Sequence, residues 1–419
     1  MNAHTYRIDT VGFQGDGITA DGIFVPLTLP GEVVRAASPK DGHARLIEVI
    51  EPSPERIEPS CPHFSLCGGC SLQHWDMAAY SAWKRDNVVT VLSRAGLETE
   101  VRDILTTSPG TRRRVGLHAK QVRQGKSVRT ELGYKLRRSW DQVRVEACPV
   151  ADPALIAAIP VLTEIASHLF EHPKSAPILS VTVSNTGLDV DVRGIERTKS
   201  GGLSAQARME IALIAQSAPV HLARISLSED ILYQSHLPSV RFGRASVDLP
   251  MGSFLQASPQ SEADMVGLVK VAVAGAKTVA DLFCGAGTFT FPLAETASVY
   301  AADGAGGAVR ALKAAIGRAP GLKPITAEAR DLFRAPVVPE EMTGWEAVVF
   351  DPPRAGAEAQ AQQIAKSKVA RVVGVSCNPQ TFARDAKILT AAGFKLDHVT
   401  PIDQFLWSGH VELVGVFSR

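Results

Sequence analysis

The sequence predicts an α/β protein with a doubly wound parallel sheet at the C-terminus, preceded by a small β-barrel and a central α+β domain. Toward the C-terminus, short apolar strands alternate with helix-length segments, as in open parallel sheets. The first 50 residues are short apolar runs punctuated by Gly, Asp and Pro, as in small barrels. The C-terminal strands are expected at residues 278–283, 299–303, 347–351, 372–376 and 411–416.

The length of 419 residues suggests two to four domains, and the pattern along the chain favours three. The barrel is predicted over residues 1–52, the central domain over 53–250 and the doubly wound domain over 251–419. A hydrophobic fraction of 45% and a charged fraction of 21% exclude a disordered, collagen-like or coiled-coil protein. A net charge of +1 excludes a uniformly basic nucleic-acid coat and leaves room for a local basic patch.

The central domain is predicted from its helix and strand signals. A helical segment over residues 78–95 is ended by Gly96. Alternating apolar and polar residues at 178–183 and 188–192 predict strands.

The composition also indicates the compartment. No apolar run reaches the roughly 18 residues that a transmembrane helix needs, and the N-terminus lacks the pattern of a signal peptide. We therefore expect a cytoplasmic protein that does not bind membranes. Six cysteines in a cytosolic chain favour metal binding or catalysis over disulfides.

A glycine loop follows the first strand of the doubly wound domain, in the segment VADLFCGAG (residues 279–287). Gly285 and Gly287 permit a tight turn and a close approach of ligand to backbone. The next strand ends in Asp303, where a carboxylate can bind ribose hydroxyls. Residue 290 is Thr where a dinucleotide fingerprint would have its third glycine, which favours a nucleoside cofactor without a pyrophosphate. The alternative is a tight βα turn that binds nothing.

Two further strand ends carry reactive side chains. The segment DPPR begins at Asp351 and the segment SCNP contains Cys377. In an open α/β sheet, both would project into the crevice at the carboxyl edge. The alternatives are a helix-capping role for Asp351 and a small buried apolar role for Cys377. We assign that buried role to Cys284, inside the glycine loop.

Four more cysteines form a separate group. Cys61, Cys67 and Cys70 have the spacing C-x5-C-x2-C, and Cys148 follows much later. Four thiolates can hold a tetrahedral zinc ion or an iron–sulfur cluster, and the spacing does not choose between them.

Four ordered motifs resemble those of the S-adenosylmethionine-dependent RNA (uracil-C5-)-methyltransferase family. They are DLFCGAG (residues 281–287), DPPRAG (351–356), SCNP (376–379) and HVE (410–412). PGEVV (30–34) resembles the RNA-binding TRAM barrel of that family, and CGGCSLQH (67–74) resembles the iron–sulfur segment of its ribosomal-RNA members. The resemblance implies a class I methyltransferase fold with a Rossmann-like sheet and S-adenosylmethionine as cofactor.

The resemblance also implies roles for individual residues. Cys377 would be the nucleophile, Glu412 the general base, and Asp351 a third catalytic residue near both cofactor and target base. Arg354 would hold the uracil or a phosphate. Cofactor contacts are implied at Gln256, Phe283, Gly285, Gly287, Thr288, Asp303, Asp331 and Asp351. The ligands of a [4Fe–4S] cluster are implied at Cys61, Cys67, Cys70 and Cys148.

These residue types suit methylation of uracil. Carbon 5 of uracil is a weak nucleophile, and addition of a thiolate to carbon 6 makes it enolate-like. After methyl transfer, a carboxylate can remove the proton from carbon 5, so that the cysteine can be eliminated. The segment LWSG (406–409), just before His410, departs from the family pattern near Glu412.

A basic stretch between residues 102 and 144 holds 12 basic residues against three acidic ones. It is a candidate surface for a phosphate backbone, although charge runs are more often simply solvated. Tyr134 and Trp140 are candidates for stacking on bases.

We therefore expect methylation of carbon 5 of a uridine in RNA, most specifically 23S ribosomal RNA, since transfer-RNA members of the family typically lack the cluster. RNA is the expected partner, and no obligate protein partner is implied. The alternatives are a transfer-RNA substrate, methylation of an exocyclic nitrogen or of cytosine carbon 5, and a non-catalytic RNA-binding protein that retains the fold.

Overall fold

Two small antiparallel sheets form the N-terminal region of the computed structural model, which describes residues 3–196 and 203–419. One sheet has the order β1-β5-β6 and the other β2-β3-β4. The strands are β1 Ala3–Arg7, β2 Thr10–Val11, β3 Asp16–Ile18, β4 Phe24–Pro26, β5 Val33–Ala37 and β6 Leu46–Glu51. Ile8, Val25 and Val34 pack together between them. The N-terminal region is thus rich in strands, as the sequence predicts.

Helix α1 (Met77–Arg94) joins the N-terminal region to the C-terminal sheet. It begins where the carboxylate of Asp76 accepts a hydrogen bond from the Ala78 amide, and Gly96 follows its end with a φ of +73°. Val88 and Leu92 pack into the core of the C-terminal sheet. The predicted helix is confirmed, although it lies against a different domain from the one expected.

The central region is a seven-stranded sheet with the order β11-β10-β9-β12-β13-β14-β15. Helices α3 and α4 cover one face, and the apolar residues of both layers form one core. The two predicted strands are β12 and β13. The elements are β9 Arg114–Gln124, β10 Ser127–Lys135, β11 Gln142–Arg144, α2 Pro153–Ala157, α3 Ile159–Ser167, β12 Ile178–Ser184, β13 Gly187–Arg193, α4 Ala205–Gln216, β14 Leu222–Leu227 and β15 Asp230–Gln234.

A hairpin and a nine-stranded sheet complete the chain. The hairpin pairs β16 (Ser239–Phe242) with β17 (Ala245–Asp248). The strands of the large sheet are β7 Glu100–Val101, β8 Leu105–Thr106, β18 Thr278–Leu282, β19 Ser298–Asp303, β20 Ile325–Ala329, β21 Ala347–Phe350, β22 Arg371–Ser376, β23 Lys395–Asp403 and β24 Glu412–Ser418. The helices are α5 Pro259–Ala272, α6 Thr290–Ala294, α7 Gly306–Ile316, α8 Glu358–Lys366 and α9 Pro379–Ala391.

The large sheet is mixed, where the sequence predicted a parallel one. Its order is β20-β19-β18-β21-β22-β24-β23-β7, with β8 also paired to β23. The strands from β20 to β22 are parallel, whereas β24 is antiparallel to both of its neighbours. Residues 404–411 between β23 and β24 are too few for a helical crossover, so β24 must return in the opposite direction. The sequence predicted five of these strands and missed β7, β8, β20 and β23.

No helix within residues 3–196 and 203–419 is long and apolar enough to cross a lipid bilayer.

Candidate active site

The carboxyl ends of β18, β19, β21 and β22 meet at one edge of the sheet and place the predicted residues together. Asp303 is the last residue of β19, Asp351 follows β21 and Cys377 follows β22. Asp303 accepts a hydrogen bond from the Gly285 amide at 2.9 Å, which links the glycine loop to the next strand. The sheet therefore gathers an open loop, two carboxyl groups and a thiol at the edge where such sheets bind ligands.

The glycine loop is closed on one side and open on the other. Gly287 has a φ of +105°, and a Cβ atom there would lie 2.6 Å from the ring of Phe291. A Cβ atom at Gly285 would meet nothing within 4 Å. Gly287 is thus required by packing, whereas the backbone around Gly285 remains accessible to a ligand.

Asp281 lies beneath this loop and is fully buried. Its Oδ2 atom accepts a hydrogen bond from Thr290 Oγ1 at 2.5 Å, so the residue in place of a third glycine supports a carboxyl group. Its Oδ1 atom has no hydrogen-bond partner among the described residues. Burial, with the nearby Asp351 and Asp303, raises the pKa of Asp281 to about 7.

The other predicted cofactor contacts are spread around the loop. The rings of Phe283 and Phe333 are 5.5 Å apart, beside the exposed Asp331. Asp331 accepts a hydrogen bond from the Phe333 amide at 3.0 Å. Thr288 lines a separate cavity of about 520 Å³ together with Lys270.

A chain of hydrogen bonds connects Asp351 to Glu412. Gln256 Nε2 donates to Asp351 Oδ2 at 3.0 Å. Gln404 Nε2 donates to Gln256 Oε1 at 2.9 Å and to Glu412 Oε1 at 2.7 Å. The structure thus brings together three of the predicted residues, and it adds Gln404.

Burial raises the pKa of both Asp351 and Glu412. The pKa of Glu412 rises to about 8 because the side chain is buried and because Asp351 is near, while Gln404 and Arg354 oppose the rise. The pKa of Asp351 rises to about 7, chiefly through desolvation and also through Asp303. Both carboxyl groups can therefore exchange protons near neutral pH.

Cys377 is electrostatically coupled to the same carboxyl groups. Burial, then Glu412 and Asp351, raise the pKa of its thiol to about 11, and the exposed Arg354 opposes them. Because its pKa lies well above 7, this half-buried thiol is neutral at pH 7 until a proton acceptor or a substrate changes its surroundings. Cys284, by contrast, is buried inside the glycine loop, in the role predicted for it.

The four other cysteines line one cavity of about 380 Å³, together with Arg354 and His410. Burial, with the negative charge of neighbouring thiolates, raises the pKa of Cys70 to about 12. Within residues 3–196 and 203–419, no three His, Cys, Asp or Glu side chains are close enough to hold a single metal ion.

The cysteine segment also contacts the loop that leads to Glu412. The Trp407 carbonyl accepts hydrogen bonds from the Ser71 amide at 2.7 Å and the Leu72 amide at 3.1 Å. On the other side of this loop, Asp403 is buried and pairs with Lys84, and it accepts a hydrogen bond from Tyr80 Oη at 2.7 Å. The position of β24 thus depends on two segments that lie more than 300 residues earlier.

The basic stretch is partly structural. Arg113 is buried against Glu262, and Arg138 pairs with Asp16. Three exposed basic residues, Arg123, Lys126 and Arg129, lie near the β9–β10 turn. Other exposed basic residues of the stretch include Arg102, Lys120 and Arg144. Of the two aromatic candidates, Trp140 is 92% exposed, whereas Tyr134 is half-buried with its hydroxyl group out of solvent.

Comparisons with known proteins identify the family of this chain. Residues 193–419 match the model of the tRNA (uracil-5-)-methyltransferase family. An uncharacterized RNA methyltransferase of Caulobacter vibrioides is 57% identical over 98% of this chain and 99% of its own. The chain belongs to the tRNA (uracil-5-)-methyltransferase family. It is therefore an enzyme, an S-adenosylmethionine-dependent RNA methyltransferase, and the family predicted from the motifs is confirmed.

Two more relatives extend the comparison. The 23S rRNA (uracil(1939)-C(5))-methyltransferase RlmD of Pectobacterium atrosepticum is 31% identical over 94% of this chain and 88% of its own. The structure of Pyrococcus abyssi tRNA (uracil-54, C5)-methyltransferase with S-adenosyl-L-homocysteine has a TM-score of 0.74 and 23% identity, with 99% of each chain covered. That likeness supports the fold over the whole chain.

Gln404 is the residue of this methyltransferase site that the sequence analysis missed. Gln404 directly follows β23, just as Asp351 follows β21 and Cys377 follows β22. The same reasoning about strand ends could have found it, but β23 itself was not predicted.

Proposed function

We propose that this methyltransferase modifies carbon 5 of a uridine in 23S ribosomal RNA through a covalent bond between Cys377 and carbon 6. The single observation that carries the proposal is the grouping of Cys377, Asp351 and Glu412 at one edge of the sheet. The two carboxyl groups raise the pKa of the Cys377 thiol. A non-catalytic RNA-binding protein would have no use for a thiol beside two carboxyl groups of raised pKa.

The residues of the chain then act in sequence. The Cys377 thiol gives its proton to a neighbouring carboxylate, and its sulfur forms a bond to carbon 6 while the ring electrons move toward carbon 5. Arg354 holds the uracil carbonyl or a flanking phosphate through its guanidinium group. After carbon 5 has gained the methyl group, Glu412 takes the proton from that carbon and the carbon–sulfur bond breaks.

S-adenosylmethionine fits the residues around the glycine loop. The open side of Gly285, the carboxylate of Asp303 and the Oδ1 atom of Asp281, which has no partner among the described residues, would offer the contacts that a nucleoside with an amino-acid tail needs. Gln256, bonded to Asp351, and Phe283, packed against Phe333, would add further contacts. When bound, the cofactor supplies the electrophilic methyl group.

A [4Fe–4S] cluster fits the four cysteines better than a single zinc ion does. A tetrahedral zinc site with Zn–S bonds of about 2.3 Å needs the four sulfurs about 3.8 Å apart. The described residues offer no such group, yet all four cysteines line one cavity of about 380 Å³. Cys61, Cys67, Cys70 and Cys148 would hold the cluster, which would tie distant segments together and take no part in the chemistry.

The ribosomal substrate is supported by a relative that matches 94% of this chain. RlmD, at 31% identity, is named for uracil in 23S rRNA. A barrel at residues 1–52 and a central domain at 53–250 would bind the RNA, and the domain at 251–419 would turn out and methylate the base. Transfer RNA is the second candidate, favoured by the likeness to the Pyrococcus enzyme.

The test is covalent trapping on RNA that contains 5-fluorouridine. That base has no carbon-5 proton for Glu412 to remove, so wild-type protein with cofactor should form a stable RNA–protein adduct. Cys377→Ala should form none, whereas the matched control Cys284→Ala should still form it. Mapping of 5-methyluridine after reaction with 23S rRNA or transfer RNA separates the two substrates. Normal methylation by Cys377→Ala would refute the mechanism.

A further inference from the structure

Gln404 lies at the centre of the hydrogen-bond network and contacts both Gln256 and Glu412. Its side chain is buried, with 4% of its surface exposed. Its Nε2 atom uses both protons, one toward Gln256 and one toward Glu412. Its Oε1 atom accepts from the Ala257 amide at 2.9 Å and from Ser261 Oγ at 3.2 Å. Every polar atom of this side chain is therefore used.

The Ala257 amide fixes the direction of the whole network. A backbone N–H can only donate, so the atom of Gln404 that faces Ala257 must be the oxygen. The nitrogen of Gln404 then faces Gln256 and Glu412, and Gln256 must present its own oxygen to Gln404. The remaining amide nitrogen of Gln256 then donates to Asp351.

We propose that Gln404 is a positioning residue that sets the protonation state of Glu412 and the orientation of Gln256 at the same time. The inference rests on the proposed function, in which Glu412 removes a proton and Gln256 contacts the cofactor. By donating to Glu412 Oε1, the Gln404 amide stabilises the carboxylate form and leaves Oε2 as the atom that receives the proton. The Ala257 amide thus orients Gln404, and through it both Glu412 and Gln256.

Charged groups around Glu412 also act on its pKa, alongside the hydrogen bond from Gln404. Asp351, after β21, raises the pKa of Glu412, while Arg354 lowers it from the same loop. Cys377, after β22, is coupled to it. Because burial dominates, Glu412 is mostly protonated at pH 7, and a donor that favours the carboxylate controls how much base is present. A hydrogen bond to a charged group typically shifts a pKa by about one to two units.

The test replaces Gln404 by methionine, which has a similar length and no donor. We expect decay of the methylated RNA adduct to slow by about ten- to a hundredfold at pH 7 and to recover at higher pH, because the ascending limb of its pH profile moves up by about one to two units. Affinity for S-adenosylmethionine should fall by roughly two- to tenfold as Gln256 loses its partner. Gln206→Met, the same change at an exposed position on α4, should alter neither quantity.

A merely structural role would slow adduct decay equally at every pH. An unshifted pH profile in Gln404→Met, or in the shorter amide Gln404→Asn if the first variant does not fold, would overturn the inference. A second readout does not need RNA: infrared titration of the Glu412 carboxyl group, with Glu412→Gln as reference, should show the same upward pKa shift. If wild-type protein forms no adduct and no 5-methyluridine, the proposed function fails, while this titration still decides the role of Gln404.

Discussion

Replacement of the proposed base, Glu412, by glutamine should stabilise the fold while it stops turnover. The side chain is buried, and its pKa rises from 4.5 to about 8 on folding. At pH 7 the folded protein must therefore take up a proton that the unfolded chain releases. Each pKa unit corresponds to about 1.36 kcal/mol, so the cost at pH 7 is about 3 kcal/mol, from the 2.5 units between pH 7 and the unfolded value.

The stability gained in Glu412→Gln should grow as the pH rises. A carboxyl group with a raised pKa destabilises the folded state increasingly as pH rises from about 4.5 to 8. Glutamine keeps the shape and can still accept a hydrogen bond from Gln404, but it has no proton to gain. The stabilisation in Glu412→Gln should therefore be under about 1 kcal/mol at pH 5 and approach about 3 kcal/mol at pH 7.

Thermal unfolding of wild type and variant at pH 5, 7 and 8 measures this difference. For a domain of 150–250 residues, 1 kcal/mol corresponds to roughly 2–4 °C in Tm. The exposed Glu340→Gln serves as control and should change Tm by less than about 1 °C at every pH. An equal or lower Tm in Glu412→Gln at pH 7, or a gain that does not grow with pH, would refute the idea that Glu412 is held protonated. The same variant should accumulate the methylated RNA adduct, because removal of a general base typically costs 10²–10⁴-fold in rate.

Three further predictions concern the parts that support the site. Lys84→Met should lower the free energy of unfolding by about 3–5 kcal/mol, because Asp403 would stay buried without its cation. Chemical denaturation measures this loss, and the double variant Lys84→Met with Asp403→Asn should recover most of it. Arg123→Ala should weaken RNA binding and reduce the slope of log affinity against log salt by about 0.7–0.9, whereas Lys366→Ala should not. Cys70→Ser should lower the iron and sulfide content of anaerobically purified protein, and zinc bound in place of iron in wild type would contradict the cluster.

Reasoning from strand ends worked where strands are parallel. Asp351 and Cys377 directly follow apolar strands, and parallel strands must end at the same edge, so their proximity was predictable from local sequence. Gln404 follows β23, which runs parallel to β22 because both are antiparallel to β24, so its carboxyl end lies at the same edge. It was missed because β23 itself was not predicted from the sequence.

The count of basic residues between 102 and 144 includes two that are paired within the fold. The basic stretch has a clear excess of positive charge in sequence, but Arg113 and Arg138 find their acidic partners 149 and 122 residues away in the chain. Glu262 and Asp16 neutralise them in three dimensions. Ion pairs between distant segments leave no local signal, so the sequence overstated the surface available to a phosphate backbone.

The backbone of Trp407 adopts a φ of +58°, a left-handed conformation that bulky residues avoid. Two amide groups of residues 71 and 72 hold its carbonyl there, and its indole ring is nearly buried. Such a conformation costs of order 1–3 kcal/mol and persists only while its surroundings enforce it. The strained turn at Trp407 is therefore held in place by the cysteine segment, through the Ser71 and Leu72 amides. Loss of those two hydrogen bonds would free the turn to relax, five residues before Glu412 in the chain.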